Sequence, residues 1–247
     1  MLKATIDADT FRESIDAISA LVGECRLHIS ENGFTTRAVD TSNVAMISLE
    51  LDAGAFQSYA ATELEIGLDI AKLKNILGMV GKSDPIELEL DAESKKLAIS
   101  FKSYRYSISL LDTKTIRKDP NPPTLNLPAV VRVPGETLNN AIKAASVVSD
   151  KIALKIEPEI SLFTMIAEGD TDNIKLELGK DDVEFVQPAE ARSLFSLDYL
   201  KDMGKVIGRS QTVEIQLGID HPVQFLFPIA QDKGRVTYLL APRIEAD

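Results

Sequence analysis

Three stretches of this 247-residue chain carry residue types that could do chemistry. Gly81-Lys82-Ser83 ends like a phosphate-binding loop, in which backbone N–H groups wrap a phosphate and the lysine reaches its outer oxygens. Such a loop needs a glycine five positions before Gly81 and a strand leading into it. Position 76 is Ile76, and the residues before Gly81 have helical spacing. The stretch therefore reads as a helix end and turn. Asp170-Thr171-Asp172-Asn173 resembles the start of a calcium loop, but the sixth and twelfth positions, which should be glycine and glutamate, are Lys175 and Asp181. It reads as a polar turn. His28 sits in an alternating segment and His221 precedes Pro222. Two separate imidazoles make neither a zinc site nor a triad. Cys25, the single cysteine, cannot form an internal disulfide or a thiolate metal site by itself. Carboxylates such as Asp40, Asp69 or Asp170 leave open a two-domain hydrolase. No set of nucleophile, base and oxyanion donors emerges, so neither catalysis, a cofactor nor a metal is expected.

The elements that position these residues are written twice. At a shift of 127, Thr10 falls on Thr137, Ile15 on Ile142, Ala17 on Ala144 and Ser19 on Ser146. Leu49-Glu50-Leu51 falls on Leu176-Glu177-Leu178, and Gly81-Lys82-Ser83 on Gly208-Arg209-Ser210. Unrelated sequences match at about one position in fifteen to twenty, so two copies of one fold are the simplest account. Residues 118–128, KDPNPPTLNLP, hold four prolines, which exclude helix and central strand and favour an extended connector. This places a first domain at 1–117, a connector at 118–128 and a second domain at 129–247. In each, alternating strands surround two amphipathic helices. Asp9-Thr10 is the expected cap of the first helix, which carries Phe11, Ile15, Ile18 and Val22. Gly81 and Gly208 are the expected stops of the second helix of each domain. The fold class is α+β, with two helices per domain packed on antiparallel sheets.

The chain is 45% apolar and 26% charged, an ordinary globular balance. No basic leader or long apolar run is present, and the expected home is the cytoplasm. The net charge of −11 disfavours tight binding to a polyanion. Its distribution is uneven, however. The windows 10–22, 70–82, 137–149 and 197–209 carry −1, +3, +1 and +1, a total of +4, against −15 for the remainder. Either these lysines decorate solvated helix faces, or the helices share a surface that meets phosphates without reading bases.

The duplicated domains, the proline-rich connector, the segments AVDTSNVAMISLEL (38–51) and SLFSLDYLKDMGKV (193–206), and the terminal segment GRVTYLLAPRIEAD (234–247) with its LAPRIE (240–245) resemble DNA sliding clamps of the proliferating cell nuclear antigen type. The resemblance runs the length of the chain. It implies a ring of three identical subunits, with helices lining a hole that encircles duplex DNA without sequence preference. It also implies tethering of DNA polymerase, ligase, flap nuclease and other factors, loading by a clamp loader, association with the nucleoid, and no membrane contact. A monomeric adaptor with no DNA role is the rival outside enzymes.

The resemblance assigns Arg12, Lys72, Lys74, Lys82, Lys143, Lys201, Lys205 and Arg209 to the DNA-facing surface, while Ser19, Asn75, Gly78 and the acidic Glu13 depart from the family's lysine positions. It assigns Val39, Asn43, Val44 and Met46, Pro120, Pro122 and Leu125 of the connector, and Pro222, Leu239, Leu240, Ala241 and Pro242 to a pocket for an aromatic-anchored peptide. Core packing is the competing role for Met46 and Leu240. The implied subunit joint uses strands 106–110 and 173–178, through Tyr106, Ile108, Leu110, Ile174, Lys175, Leu176 and Leu178. Unpaired sheet edges are a liability until paired, and a head-to-tail joint closes into a ring when its rotation allows.

Overall fold

A computed structural model describes residues 1–91 and 95–244; residues 245–247, which end the terminal segment named above, lie outside them. In the first half, β1 (Leu2–Asp7), α1 (Ala8–Ser19), β2 (Glu24–Ser30), β3 (Gly33–Val39), β4 (Ala45–Asp52), β5 (Ser58–Ala61), β6 (Leu64–Asp69), α2 (Ile70–Leu77), β7 (Pro85–Asp91), β8 (Lys96–Phe101) and β9 (Tyr104–Ser109) follow in order. The second half repeats that order as β10 (Ala129–Val133), α3 (Gly135–Val148), β11 (Lys151–Glu157), β12 (Leu162–Glu168), β13 (Asn173–Leu178), β14 (Glu184–Gln187), β15 (Ala191–Ser196), α4 (Leu197–Ile207), β16 (Val213–Leu217), β17 (Val223–Ile229) and β18 (Gly234–Leu240). The strand order repeats as well. β5-β1-β7-β8-β9 in the first half matches β14-β10-β16-β17-β18 in the second, and β6-β2-β3-β4 matches β15-β11-β12-β13. The architecture is α+β, as the patterning predicts.

Two compact units emerge. The first comprises Met1–Thr41, Ile47–Asn121 and Pro228–Val236; the second comprises Ser42–Met46, Pro122–Phe227 and Thr237–Asp247. Within the first, α1 and α2 pack together. They bury Phe11, Ile15 and Ile18 from α1 and Ile70, Leu73, Ile76 and Leu77 from α2. Within the second, α3 and α4 bury Leu138, Ile142 and Ala145 together with Leu197, Leu200, Met203 and Ile207. Each such large side chain is worth about 1.5–3 kcal/mol on burial, whereas an exposed ion pair contributes a few tenths. The apolar stripes hold these helices down, and their surface charges are therefore free to serve other ends. α3 begins so close to the end of α4 that a Cβ on Gly135 would lie 2.2 Å from the Ile207 carbonyl oxygen.

Two helix boundaries differ from the sequence expectation. Asp7, not Asp9 or Thr10, caps α1: its carboxylate accepts from the N–H groups of Asp9 (2.9 Å) and Thr10 (3.4 Å). Asp9 instead lies in the first turn and pairs with Arg12 at 2.6 Å. α2 ends at Leu77 with Gly78 as its cap, three residues before Gly81. Gly81 belongs to the following turn, where its N–H donates to Asp84 Oδ2 (3.0 Å). Gly208 does cap α4. Asp7→Ala should destabilise the protein by about 1 kcal/mol, the usual loss of an N-cap, while Asp9→Ala should change thermal stability by about half of that or less; equal losses in thermal unfolding would contradict this assignment of the cap.

Candidate nucleic-acid interface, peptide pocket and edge strands

The buried stripes turn the opposite faces of the helices outward. On the first unit, Lys72 and Lys74 are exposed on α2, and Lys82 is exposed in the turn after it. Lys74 Nζ donates to Ser19 Oγ (2.9 Å) and lies 3.7 Å from Asp16. Lys72 and Lys82 have no ion pair among the described residues. Two departures from the expected basic pattern have structural uses. Gly78 is the α2 cap, and the carboxylate of Glu13 accepts from the Ala230 N–H (3.0 Å), anchoring a turn in which Ala230, Gln231 and Asp232 all have positive φ.

Arg12 requires a correction. Its guanidinium binds Asp9 and donates to the carbonyls of Leu77 (3.0 Å) and Val80 (2.9 Å). It ties α1 to the C-terminal end of α2, where partial negative charge accumulates. Its guanidinium thus has three partners inside the fold, with the side chain 27% exposed.

On the second unit, Lys143 is exposed on α3. In α4, Lys201 lies 3.7 Å from Asp198, and Lys205 2.8 Å from Asp202. Arg209 is exposed in the turn after α4. The helix charge balance also changes. With the observed boundaries, α1 carries −2, α2 carries +2, and α3 and α4 are neutral, so the helices sum to zero rather than +4. Asp9 and Glu136 lie inside first turns that the sequence windows excluded, and Lys82 and Arg209 lie in turns beyond the helix ends. α2 and α4 carry Lys74 and Lys205 in their last turns, as the helix dipole favours, whereas α1 and α3 carry no base there. Positive charge is thus concentrated at the C-terminal ends of α2 and α4 and the turns that follow.

The residues considered for catalysis have separate roles. Asp69 caps α2 by accepting from the Lys72 N–H (2.9 Å). Asp40 is 6% exposed, and its carbonyl accepts from Arg117 (2.6 Å). Asp170 lies in an exposed turn closed by Gly169 N–H donating to the Asp172 carbonyl (2.8 Å). His28 meets Asp119 (2.5 Å), and His221 Nδ1 lies 2.6 Å from the Ile219 carbonyl oxygen. Cys25 is 1% exposed, and burial, reinforced by Asp119 and Glu24 against a hydrogen bond with Thr36, pushes its thiol up to about 11. Among the described residues, no group of three or more His, Cys, Asp or Glu side chains could hold a metal. No helix there is long and apolar enough to cross a membrane.

Each unit presents an edge strand where the subunit joint was expected. β9 ends the sheet order of the first unit and β13 that of the second. β9 covers residues 104–109, so Leu110 falls just outside it, though its N–H still donates to the Lys95 carbonyl (3.1 Å). Ile108 and Leu178 are buried, Tyr106, Leu110, Ile174 and Leu176 half-buried, and Lys175 exposed beside Glu177 (2.5 Å). Tyr104, 60% exposed on β9, was not singled out from the sequence, although it stands two residues before Tyr106 on the same strand.

Within the second unit, the Ala241 N–H donates to the Val44 carbonyl (2.9 Å), joining the 42–46 segment to the chain end. Asn43 holds positive φ. Val44, Met46, Leu125, Pro222, Leu239, Ala241 and Pro242 are half-exposed and Pro122 exposed. Val39 and Pro120 belong to the first unit. Leu240 is corrected from pocket to core: it is 0% exposed, because strand alternation along β18 turns Val236, Tyr238 and Leu240 inward and Thr237 and Leu239 outward. Beyond Pro242, an open cavity of about 570 Å³ is lined by Arg192, Leu194, Ile219, Arg243 and Ile244 among others. The half-exposed apolar residues beside it suit a short amphipathic peptide.

Comparison with known proteins decides what this arrangement belongs to. The family model "Proliferating cell nuclear antigen, N-terminal domain" matches residues 1–119. DNA polymerase sliding clamps from Methanosphaerula palustris and Methanoculleus marisnigri are 66% and 65% identical, each over 100% of both chains. A solved structure of A. fulgidus PCNA with the C-terminal region of FEN-1 bound superposes with a TM-score of 0.94 at 35% identity, covering 100% of both chains. PCNA from Thermococcus kodakaraensis gives a TM-score of 0.88 at 25% identity, over 98% of this chain and 100% of that one. The chain belongs to the proliferating cell nuclear antigen family of sliding clamps.

Members of this clamp family are processivity factors and do no catalysis. The features missed from the sequence of this clamp lie in irregular chain. Ile219 (54% exposed) and Ile244 (84% exposed) flank turns, and no periodicity marks them. Arg243 holds the chain end down by pairing with Asp150 (2.7 Å), while its own N–H donates to the Leu194 carbonyl (2.7 Å). The Arg243 hydrogen bond keeps the Asp150 carboxyl below the usual carboxylate range. A depressed carboxyl stabilises the fold above its unfolded pKa, and that contribution is lost as pH falls through the folded value. Hydrogen exchange at Arg243 and Ile244 should therefore quicken as pH drops below the ordinary aspartate range of about 4, after correction for intrinsic exchange. Asp150→Asn should show the faster exchange already at neutral pH; indifference to both changes would rule out the pair as the anchor.

Proposed function

We propose that three identical copies of this chain close into a ring that encircles duplex DNA. The ring would tether replicative DNA polymerase, ligase, flap nuclease and other factors, after opening by a clamp loader. The observation that carries this reading is the full-length likeness to DNA polymerase sliding clamps, joined to an edge strand in each unit. The domains would be 1–117 and 129–247 with 118–128 as the connector, and the ring would work in the cytoplasm on the nucleoid. The exposed cations Lys72, Lys74, Lys82, Lys143, Lys201, Lys205 and Arg209 would meet phosphates. Each neutralised phosphate adds about 0.9 to the steepness with which binding falls with salt. With acids beside several of these lysines, contacts stay few and sliding is easy. Topology, rather than affinity, would hold the ring on DNA.

The peptide pocket would be built from Val44, Met46, Leu239, Ala241 and Pro242, with Pro222, Leu125, Pro122 and Asn43. The FEN-1 segment bound to the A. fulgidus relative supports a flap nuclease as one partner of this surface. Leu239→Ala should weaken binding of an aromatic-anchored peptide by about tenfold without changing the melting temperature. Leu240→Ala should instead lose about 2–5 kcal/mol of stability, as a truncated core leucine does. The reverse pattern would return Leu240 to the pocket.

The ring itself is tested by loading the protein onto closed circular DNA. Linearising the circle should release it. Retention on the linear product, or a single 27.0 kDa species by light scattering across a wide concentration range, would contradict the proposal.

A further inference from the structure

The first unit contains a partly enclosed cavity of about 140 Å³ that none of the roles above uses. It lies where β2 and β3 meet the chain at residues 116–118, and its lining includes Arg26, Arg37, Arg117 and Lys118 against one carboxylate, Glu24. A cluster of four cations around one small space is unexpected in a chain of net charge −11, because like charges repel unless an anion separates them.

The four cations are not equally committed. Arg26 is fully engaged: Nε and Nη2 donate to the carbonyls of Arg117 and Ile116 (3.0 Å each), and Nη1 meets Glu65 (3.1 Å). Arg117 gives Nη1 to the Asp40 carbonyl (2.6 Å). Asp119, next along the chain, meets His28 through Oδ2, while its Oδ1 is buried without a hydrogen-bond partner among the described residues. Arg37 is different. Its Nε is buried and has no hydrogen-bond partner. Lys118 is exposed and has no ion pair among the described residues. A buried charged donor without an acceptor is costly enough that native proteins supply one, from protein, solvent or ligand. The cavity has room for more than a single water, whose share of liquid volume is about 30 Å³.

We propose that this cavity binds a phosphate-sized oxyanion between Arg37, Arg117 and Lys118. The cations approach from β3 and from the chain at 117–118. Donors from separate segments suit the several oxygens of a tetrahedral anion better than a flat carboxylate, which a single guanidinium satisfies with two parallel bonds. Free inorganic phosphate and the terminal phosphate of a nucleotide share this chemistry, and the enclosure of the site favours the free ion.

The test is a titration of the full-length protein with sodium phosphate, with ionic strength matched by chloride. Melting temperature and the ³¹P linewidth of phosphate are the readouts. The wild-type protein should be stabilised saturably at millimolar phosphate, as a ligand specific to the folded state requires. Arg37→Met and Lys118→Gln should each weaken phosphate binding by about tenfold, the loss of one charge-assisted contact. Lys180→Gln, at an exposed lysine outside the cavity and outside the DNA-facing set, should leave it unchanged. Lys118 is exposed, so its variant keeps the test valid should Arg37→Met not fold. A 5′-phosphorylated oligonucleotide that competes at the same concentration as free phosphate would assign the site to nucleotide ends; failure to compete assigns it to the free ion. A response absent from wild type, unchanged in both cavity variants, or lost in Lys180→Gln would overturn the proposal.

Discussion

Two helices laid on a sheet by one apolar stripe each are what the rest of this chain depends on. In the first unit the stripe is Phe11, Ile15 and Ile18 with Ile70, Leu73 and Ile76; in the second it is Leu138 and Ile142 with Leu197, Leu200 and Met203. The outer strands β9 and β13, last in their sheet orders, keep a row of backbone groups without a strand partner among the described residues. Because the helices bury one side only, their other side must carry the polar residues. An unpaired edge and a solvated helical face are the two features a ring around DNA needs.

Electrostatics then adjusts what packing has placed. The helices of this chain are neutral in sum, yet in α2 and α4 a cation stands in the last turn and another in the turn that follows. What a neighbouring phosphate feels is this ordering, not the total. Lys74 is held by Asp16 and Ser19, and Lys205 by Asp202. A lysine so held is positioned but partly neutralised, and its contact with an external anion weakens further as salt screens it. This suits a protein that must move along its track rather than stop on it.

The duplication and the fold class were legible because apolar periodicity and repeated identities survive at a single shift of 127. Helix ends were less so. Asp7 and Asp9 are both good caps in isolation, and only the backbone geometry at residue 7 selects between them. Gly78 and Gly81 pose the same ambiguity. The role of Arg12 was illegible for a different reason: two of its partners are carbonyl oxygens more than sixty positions away, and a carbonyl has no sequence signature. The resemblance places both Leu239 and Leu240 at the pocket, whereas alternation along β18 turns only Leu239 outward, a parity that sequence fixes only when the register is known. The Arg243–Asp150 anchor joins two irregular segments that no periodic pattern connects.

The solitary thiol has a practical consequence. Cys25 is closed off from solvent, and with its proton held up to about 11, about one molecule in ten thousand carries the reactive thiolate at pH 7. The native chain is therefore nearly silent to maleimides. A cysteine introduced at an exposed site such as position 143 would be the sole point of attachment for a fluorophore or spin label. The protein can then be watched on DNA without first removing a residue from its core.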